Sequence, residues 1–591
     1  MEINPMVVWM SVKLIIFMSF KKECMHVLSY RLVTTIEELE FYKSTWSEIL
    51  EREKNNNPFI EFEWVSTWWA TLGVNDNVEI YIVEHNGMAV AFFPFVRCQR
   101  FGGIHHFAFL GQGFATYMEV IAVKQWKEPS IEYLLKELSW KYERFILELH
   151  GLLESKNTSQ IVEKYAIEHQ VPHSIFRTVT PYIDFHSIKL EDFLHKHRKK
   201  FKSIHRREKK LKALGYVTFQ EVHRERIAGM FDLFERRWLK KIDKSRFTEQ
   251  QTRRFFECLT KENSNALRVE VDSLQFEGCW IGFTIDICCR DRNFCQAMGH
   301  EPDFNMFGPG RLIERENMLK AHASNYRFYD FGSGYEPYKF EWYTDIDFSR
   351  RFVMSTKGKR ERILRLIMIL RDRLKGQLTN NHQLVKLKRD RLGELRYFLK
   401  NARLKDWFHS FKKGINRLIA VHIFDIYVSE KDQGQHSSSF NEIFIQDVMA
   451  YRGRAKYVSN YHKGYRIFRN STNEIAFLRH DQLLYEEEIG FTHKLPSDVS
   501  YIKENNCQLS DIVAKVQEEG RAVCISVHWY EGKRRRKLVQ LGFKKVERIK
   551  IIQLLNKKKV YRQENNWLKY LQSQGQNIDH LWQLALLPMF T

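Results

Sequence analysis

The order of segments between residues 216 and 331 constrains this chain more than any other feature. Tyr216–Val222 reads as a strand and Arg224–Lys241 as an amphipathic helix. Leu267–Phe276 and Gly278–Cys289 read as a hairpin, and Asn293–Gly299 as a third strand. Gly308-Pro309-Gly310 follows, then a helix from Arg311 to Ser324 and a strand from Arg327 to Phe331. A strand meander, a glycine loop, a helix and a returning strand bury their apolar faces together only as a layered α/β unit. A long, very basic helix, Leu190–Leu214, precedes this unit and ends at Gly215.

Residues 31–70 read as a helix, a turn at Asn55-Asn56-Asn57-Pro58 and a second helix rich in tryptophan (Trp64, Trp68, Trp69). Val78–Glu84 and Met88–Val96 flank His85-Asn86-Gly87, a hairpin signal. Ile131–Tyr142 reads as a helix and Arg144–His150 as a strand. The two N-terminal units therefore share an order of elements without an internal sequence repeat. The last stretch has a strand at Ala522–Trp529, a basic helix from Lys533, then Leu541-Gly542-Phe543 and a strand at Val546–Leu554.

The net charge of +22 is concentrated in two places. Residues 196–212 carry ten Lys/Arg against one acid, and residues 357–417 carry nineteen against five, which leaves the rest of the chain close to neutral. Basic segments attract phosphate on nucleic acid, anionic lipid or an acidic cofactor, or form solvated helix faces. Ile363–Leu370 is apolar between arginines, as suits a membrane-surface helix or a helix packed on its own domain. The apolar stretch Val7–Phe20 is interrupted by Lys13 and is too short to span a bilayer. The nine cysteines contain no C-x-x-C pair and suit a reducing, cytoplasmic compartment. No Walker loop, Gly-x-Ser-x-Gly elbow or H-E-x-x-H occurs, and His105-His106 and His195-x-His197 lack partners at metal spacing, so no metal is expected.

The loop Asn305-Met306-Phe307-Gly308-Pro309-Gly310-Arg311 carries the sharpest chemistry. Glycines let a backbone approach a ligand closely, and the amides of a helix start favour an anion. Pro309 has no N–H to offer, whereas Arg311 could make a bidentate contact to phosphate. A plain tight turn explains the same glycines. In position the loop resembles the one with which GNAT-type acetyltransferases cradle the pyrophosphate of coenzyme A, with Asn305 where that loop usually has Gln or Arg.

The stretch Asp330-Phe331-Gly332-Ser333-Gly334-Tyr335-Glu336-Pro337-Tyr338-Lys339-Phe340-Glu341-Trp342 resembles the Asp-Phe-x-x-Gly-x-x-x-Tyr-Lys-x-x-Trp signature of CelD/BcsL-type acetyltransferases of cellulose and exopolysaccharide biosynthesis. Asn57-Pro58-Phe59 with Trp64 and Trp68, the strand Ala89–Phe95 and the helix with His205-Arg206-Arg207 resemble other parts of that family in the same order. The resemblance covers roughly residues 30–355. It implies tandem GNAT-like domains related to the FemAB/FemX peptidyltransferases, acetyl-CoA or another acyl-CoA as co-substrate, and Asn305, Gly308, Gly310 and Arg311 as its contacts.

Acyl transfer needs a bound thioester, a deprotonated acceptor and donors for the oxyanion. Asp330, at a strand end, either orients and deprotonates an acceptor or caps a turn through Gly332. Glu336 is a second candidate base. Tyr338 either protonates the departing thiolate or packs, and Lys339 either neutralises phosphate or oxyanion or forms a salt bridge. Trp342 reads as core, and Gly332 and Gly334 as a turn with positive φ.

The chain therefore reads as an α/β (α+β) protein. Residues 1–24 form an over-called leader, 25–185 a first GNAT-like domain, and 186–355 a second one with the acyl-CoA site. Residues 356–439 form a basic helical segment and linker, and 440–591 a mixed α/β accessory domain of degenerate GNAT type. The expected activity is direct acyl transfer to a small-molecule, saccharide or cell-envelope acceptor. Two rivals stand beside it. One is an aminoacyl-tRNA-dependent transferase of FemAB/FemX type. The other is a non-catalytic scaffold that binds anionic membrane or nucleic acid through residues 196–212 and 357–417. The expected location is the cytoplasm, or the periphery of the inner face of the membrane.

Overall fold

The computed structural model describes residues 28–380 and 419–570, apart from 101, 224–226, 228, 234–249, 262–263, 265, 431–437, 450–453, 481–482, 487–490, 497, 504–508, 555–556, 564–565 and 568–569. The proposed leader, most of the helix expected over Arg224–Lys241 and the basic stretch beyond residue 380 lie outside the described residues. The described chain forms two compact units. One takes in residues 28–208, 217–301 and 308–380, the other 209–216, 302–307 and 419–570.

The first unit is built on one 13-stranded sheet. Strand β1 (Leu28–Val33) and helix α1 (Phe62–Thr71) precede the meander β2 (Val78–His85), β3 (Met88–Arg100) and β4 (Ile104–Phe109). The β2–β3 turn places Asn86 and Gly87 at positive φ, 53° and 76°. That is the backbone an Asn-Gly hairpin turn supplies without steric cost. The short β5 (Ile121–Ala122) pairs with β3. Helix α2 (Lys124–Lys141) then leads to β6 (Phe145–Leu153), which runs parallel to β4. Strand β7 (His173–Asp184) ends this half.

The second half repeats the plan. Helix α3 (Arg198–Lys212) and β8 (Val217–Glu221) lead to the meander β9 (Arg268–Phe276), β10 (Cys279–Cys289) and β11 (Arg292–His300). Helix α4 (Pro309–Ala323) follows, and β12 (Phe328–Asp330) returns parallel to β11. The chain closes with β13 (Asp345–Ser355) and helix α5 (Lys359–Asn380).

The halves are joined by exchanged strands. β13, from the end of the second half, lies between β6 and β7 of the first and is antiparallel to both. β7 in turn pairs with β12. The sheet is thus continuous as β1-β2-β3-β4-β6-β13-β7-β12-β11-β10-β9-β8. Buried aromatic rings carry the core across the join: Phe294 lies edge-on to Phe59 at 4.8 Å and to Tyr117 at 5.7 Å.

The second unit has an eight-stranded sheet. Its strands are β14 (Ile419–Val428), β15 (Asn441–Ile443), β16 (Arg466–Arg469), β17 (Ile475–Arg479), a separate hairpin of β18 (Leu483–Glu486) with β19 (Phe491–Lys494), and β20 (Val499–Lys503). Helix α6 (Leu509–Glu518) connects β20 to the parallel β21 (Ala522–His528). Helix α7 (Gly532–Gln540), β22 (Lys544–Leu554) and β23 (Lys557–Gln563) complete it. Among the described residues, no helix is long and apolar enough to cross a membrane.

The α/β class and the strand–helix order of residues 267–331 agree with the sequence reading, whereas the helix Gln250–Leu259 was not expected. Other details differ. Residues 31–33 belong to β1, and the first helical stretch divides into Ile36–Glu40 and Lys43–Arg52. The helix expected over Leu190–Leu214 stops at Lys196 and restarts at Arg198, because His197 is buried against the Trp342 ring.

One close approach fixes how the first half is assembled. Gly151 on β6 has φ +77°, and a Cβ there would sit 2.7 Å from the Met118 amide nitrogen. Gly151→Ala therefore meets backbone rather than a side chain that can yield. It should cost more than about 1 kcal/mol, read as a lower urea midpoint by tryptophan fluorescence.

Candidate functional site: the strand opening and helix start of the second half

Each half places a parallel strand pair beside a helix start, and the pairs separate at a definite point. In the second half β11 and β12 pair at Arg292–Phe328, Asn293–Tyr329 and Phe294–Asp330, and no further. β11 continues to His300, while the chain after Asp330 turns along β7, with the Gly334 amide donating to the Val179 carbonyl at 3.0 Å. The strands thus open beyond Phe294 and Asp330. The β10–β11 ladder shifts register just there: Ile285 faces Ala297 and Asp286 faces Cys295, so Gln296 is the extra residue of a bulge. A bulge frees main-chain groups from the ladder next to the opening.

Asp330 is a structural anchor at this point. It is 1% exposed, and its carboxylate accepts from Arg292 Nη1, from Tyr117 Oη at 2.9 Å and from the Gly332 amide at 2.7 Å. The contact to Gly332 is the turn-capping role weighed in the sequence. With three donors on it and almost no exposure, the carboxylate is committed and does not face an acceptor. Burial raises the Tyr117 phenol well above its ordinary range, and the Asp330 charge adds to that, so Tyr117 stays a donor.

Lys339 is also committed. It is 6% exposed, and its ammonium donates to the Ser333 carbonyl at 2.7 Å, to the Gly332 carbonyl at 3.3 Å and to Glu336 Oε2 at 3.1 Å. It therefore holds the 332–336 loop closed on itself. Gly332 and Gly334 have φ of +72° and +134°, as the turn expectation requires. Glu336 and Tyr338 lie at the exposed tip of this loop. Trp342 is core: Phe201 and His197 each pack at 5.3 Å from its ring.

The α4 start is shaped by glycine. Gly308 is left-handed, with φ 66° and ψ 51°, and precedes Pro309 at the first helical position. A Cβ on Gly308 would lie 2.7 Å from Arg207 Nη1, so the guanidinium of α3 rests directly over the helix start. A Cβ on Gly310 would lie 3.1 Å from His300 Nδ1. The first turn of α4 holds no acid. Arg311 does not reach outward as the sequence reading expects, because its two terminal nitrogens form a bidentate pair with Glu341, each at 2.5 Å. Asn305 is exposed on the short turn Pro302–Phe307, which belongs to the other compact unit and not to this site. Arg207, quoted in the sequence only as part of a basic helix, is the cation that the fold delivers. Sequence distance hid it, since it stands about a hundred residues before the loop it covers.

At the matching position of the first half a carboxylate stands at the helix start, on the edge of a cavity of about 470 Å³ lined by Glu53, Lys124, Lys127 and Lys156. The Lys124 amide at the α2 start donates to Glu53 Oε1 at 3.1 Å, so a carboxylate already occupies the place an anion would take. Its strand opening is crossed by main chain, with the Met118 amide donating to the Gly151 carbonyl at 3.2 Å. Below the opening, burial opposes ionisation of Glu148, but hydrogen bonding to His106 and the Arg351 guanidinium pull its carboxyl down to about 2. The same segment serves the second half, where Gln296 Nε2 donates to the Phe114 carbonyl at 3.0 Å. The first half thus contributes a wall to the second half's opening.

Under α4 lies a polar layer. Asn317 donates to Thr284 Oγ1 at 2.6 Å and to Asp286 Oδ2 at 2.9 Å, and Lys320 donates to Asp272 Oδ2 at 2.9 Å. Burial, reinforced by the charges of Asp272 and Glu270, lifts the Asp286 carboxyl to about 8. Burial, partly offset by the Arg311 charge, lifts Glu314 to about 7. Among the described residues, no group of His, Cys, Asp and Glu could hold a metal ion.

Residues 198–340 match the family model described as Acetyltransferase (GNAT) domain. No curated protein matches the chain. Three solved structures resemble it remotely. FemX is 9% identical, with 55% of this chain and 96% of that one covered and a TM-score of 0.39. A tandem GNAT protein from the clavulanic acid biosynthesis pathway is 10% identical, with 55% and 98% covered and a TM-score of 0.34. The C-terminal domain of a putative lysylphosphatidylglycerol synthetase from Agrobacterium fabrum is 10% identical, with 56% and 95% covered and a TM-score of 0.34. At these values the likeness bears on neither substrate nor mechanism. The matched segment falls in the second half, whose strand–helix order the first half repeats.

The two raised carboxyls make the unit's stability fall as pH rises. An acid whose folded pKa exceeds its unfolded value stabilises fully below the unfolded pKa and loses that contribution as pH climbs through the folded one. The window here runs from about 4 to about 8. Asp286→Asn should flatten the thermal midpoint across pH 5 to 9 relative to wild type, removing a slope of up to about 1.4 kcal/mol per pH unit. An equally steep profile in the variant would contradict the assignment.

Proposed function

We propose that the chain is an acyltransferase that takes an acyl group from acyl-CoA, acetyl-CoA first among them, at the second half of its tandem GNAT-like unit. One observation carries this reading: of the two helix starts, the first already has the Glu53 carboxylate on its Lys124 amide, and the second combines a left-handed Gly308 with the Arg207 guanidinium and no acid in the first turn. A diphosphate is favoured at such a start by the helix dipole, the main-chain amides of the first turn and one cation. Asn305 and Arg311 drop out of the contact set. The Arg311 pair with Glu341 instead braces the helix against the 332–342 loop.

The strand opening supplies the rest. A thioester lying between β11 and the chain after Asp330 meets main chain released from the ladder at Gln296, and an amide there can stabilise the oxyanion. The acceptor's nitrogen or oxygen attacks the thioester carbon and gives up its proton. The C–S bond then breaks, and the thiolate leaves with the electron pair and takes up a proton. Glu336 and Tyr338 are the groups of the signature left at an exposed edge to exchange those protons. The resemblance of residues 330–342 favours a saccharide or cell-envelope precursor as acceptor, acting at the inner face of a membrane or in the cytoplasm.

An aminoacyl-tRNA-dependent transfer is the second reading, favoured by the exposed Lys196, Arg198, Lys199, Lys202, Arg206 and Arg207 that lead into this helix start.

Calorimetric titration with acetyl-CoA separates them. We expect saturable heat, with Arg207→Ala weakening affinity about tenfold, the worth of one charge-assisted phosphate contact. Absence of heat and of any thermal shift at millimolar ligand would contradict the acyl-CoA reading. A tRNA gel shift that is lost steeply with added salt would then favour the second.

A further inference from the structure

Helix α5 sorts its residues by chemistry in a way its own packing does not require. Leu364 and Met368 pack on the buried Ile104, Ile146 and Val353 of the sheet. Both acids of residues 359–373 turn to that side. Glu361 is fully buried beside Arg144, and Asp372 pairs with Arg351 on β13. Arg365 also points inward, donating to the His173 carbonyl at 3.0 Å and to Ser174 Oγ at 2.9 Å. The opposite face carries Ile363, Leu366, Ile367 and Leu370, spaced i, i+3, i+4, i+7 and between 51% and 60% exposed. At 100° per residue this stripe is flanked by Arg360 and Arg371 on one side and by Arg362 and Arg373 on the other, all four exposed.

We propose that this face of α5 docks on the surface of a bilayer rich in anionic lipid. The apolar stripe would sit at the acyl boundary and the flanking arginines at the headgroup phosphates. The charge arrangement chooses the occupant. A helix meant only to pack needs one apolar face, and a helix meant to stay in water does not expose four large aliphatic side chains in register. A stripe bordered by arginines on both flanks, with its acids withdrawn into the protein, matches a planar array of phosphates above hydrocarbon. This inference is independent of the acyltransferase reading.

The test uses the full chain and flotation with vesicles of phosphatidylcholine alone or with 30% phosphatidylglycerol. We expect at least tenfold more protein bound to the anionic vesicles at 0.1 M salt, and less as salt rises. Leu366→Ser with Leu370→Ser should lower that binding at least fivefold, and Arg362→Glu with Arg373→Glu at least tenfold. Both variants change exposed side chains, so circular dichroism and the thermal midpoint should match wild type and show that loss is not unfolding. Equal binding to both vesicles, no binding to either, or a serine variant that binds like wild type would each overturn the proposal. In the last case the attraction is charge alone. A self-association that the serine variant abolishes, without vesicle binding, would assign the face to a second copy of the chain and overturn it as well.

Discussion

The buried pair of Arg292 and Asp330 is the interaction on which the first unit depends. It spans the β11–β12 ladder, from Arg292 at the first rung to Asp330 at the last, where the two strands part. A charge pair removed from water is stable only when its remaining hydrogen-bonding capacity is used. Here Tyr117 and the Gly332 amide complete the carboxylate, whereas the Arg292 guanidinium keeps a buried Nε without a hydrogen-bond partner and lies over the Phe328 ring at 4.6 Å and the Tyr182 ring at 5.7 Å. Four separate stretches of chain thus meet in one cluster: the crossing segment of the first half, β7, β11 and the β12 end. Removing one partner would leave a buried charge without its mate, at a cost of about 3–5 kcal/mol.

That anchor explains why two halves of the same plan differ in what they can bind. The segment around Phe114–Met118 is held over both openings, closing the first through Gly151 and walling the second through Gln296 and Tyr117. The Glu53 carboxylate accepts from the helix start of the first half, while the Arg207 guanidinium lies over that of the second. One half has become support, and the other keeps a strand opening beside a helix start without an acid. The basic helix before it is positioned by the signature loop. Trp342 receives Phe201 and His197, and Lys200 donates to the Glu341 carbonyl, so the loop's aromatic end sets where Arg207 falls.

Much of this was legible in the sequence because the second half's meander, glycine loop, helix and returning strand are local features. So were the Asn86-Gly87 hairpin and the positive-φ turn at Gly332. β7 and β13 were not, since each takes its place from strands far away in the chain, and β13 joins the half it does not follow. The site residues divide in the same way. Gly308 and Gly310 shape the helix start through their own backbone, which is a local feature of the sequence. The roles of Asp330, Lys339 and Arg311 depend on partners. Asp330 bonds Tyr117, 213 positions earlier, and Arg311 bonds Glu341, 30 positions later. Asp330, weighed as a base or a turn cap, is thereby settled as an anchor, and Arg311 as a brace.

Only the second helix start is proposed to accept the diphosphate of coenzyme A. Hydrogen–deuterium exchange of the full chain with and without saturating acetyl-CoA addresses it directly. Slowed exchange is expected over residues 294–298 and 308–314, with residues 119–128 unchanged. Protection confined to residues 119–128, at the start of α2, would contradict it.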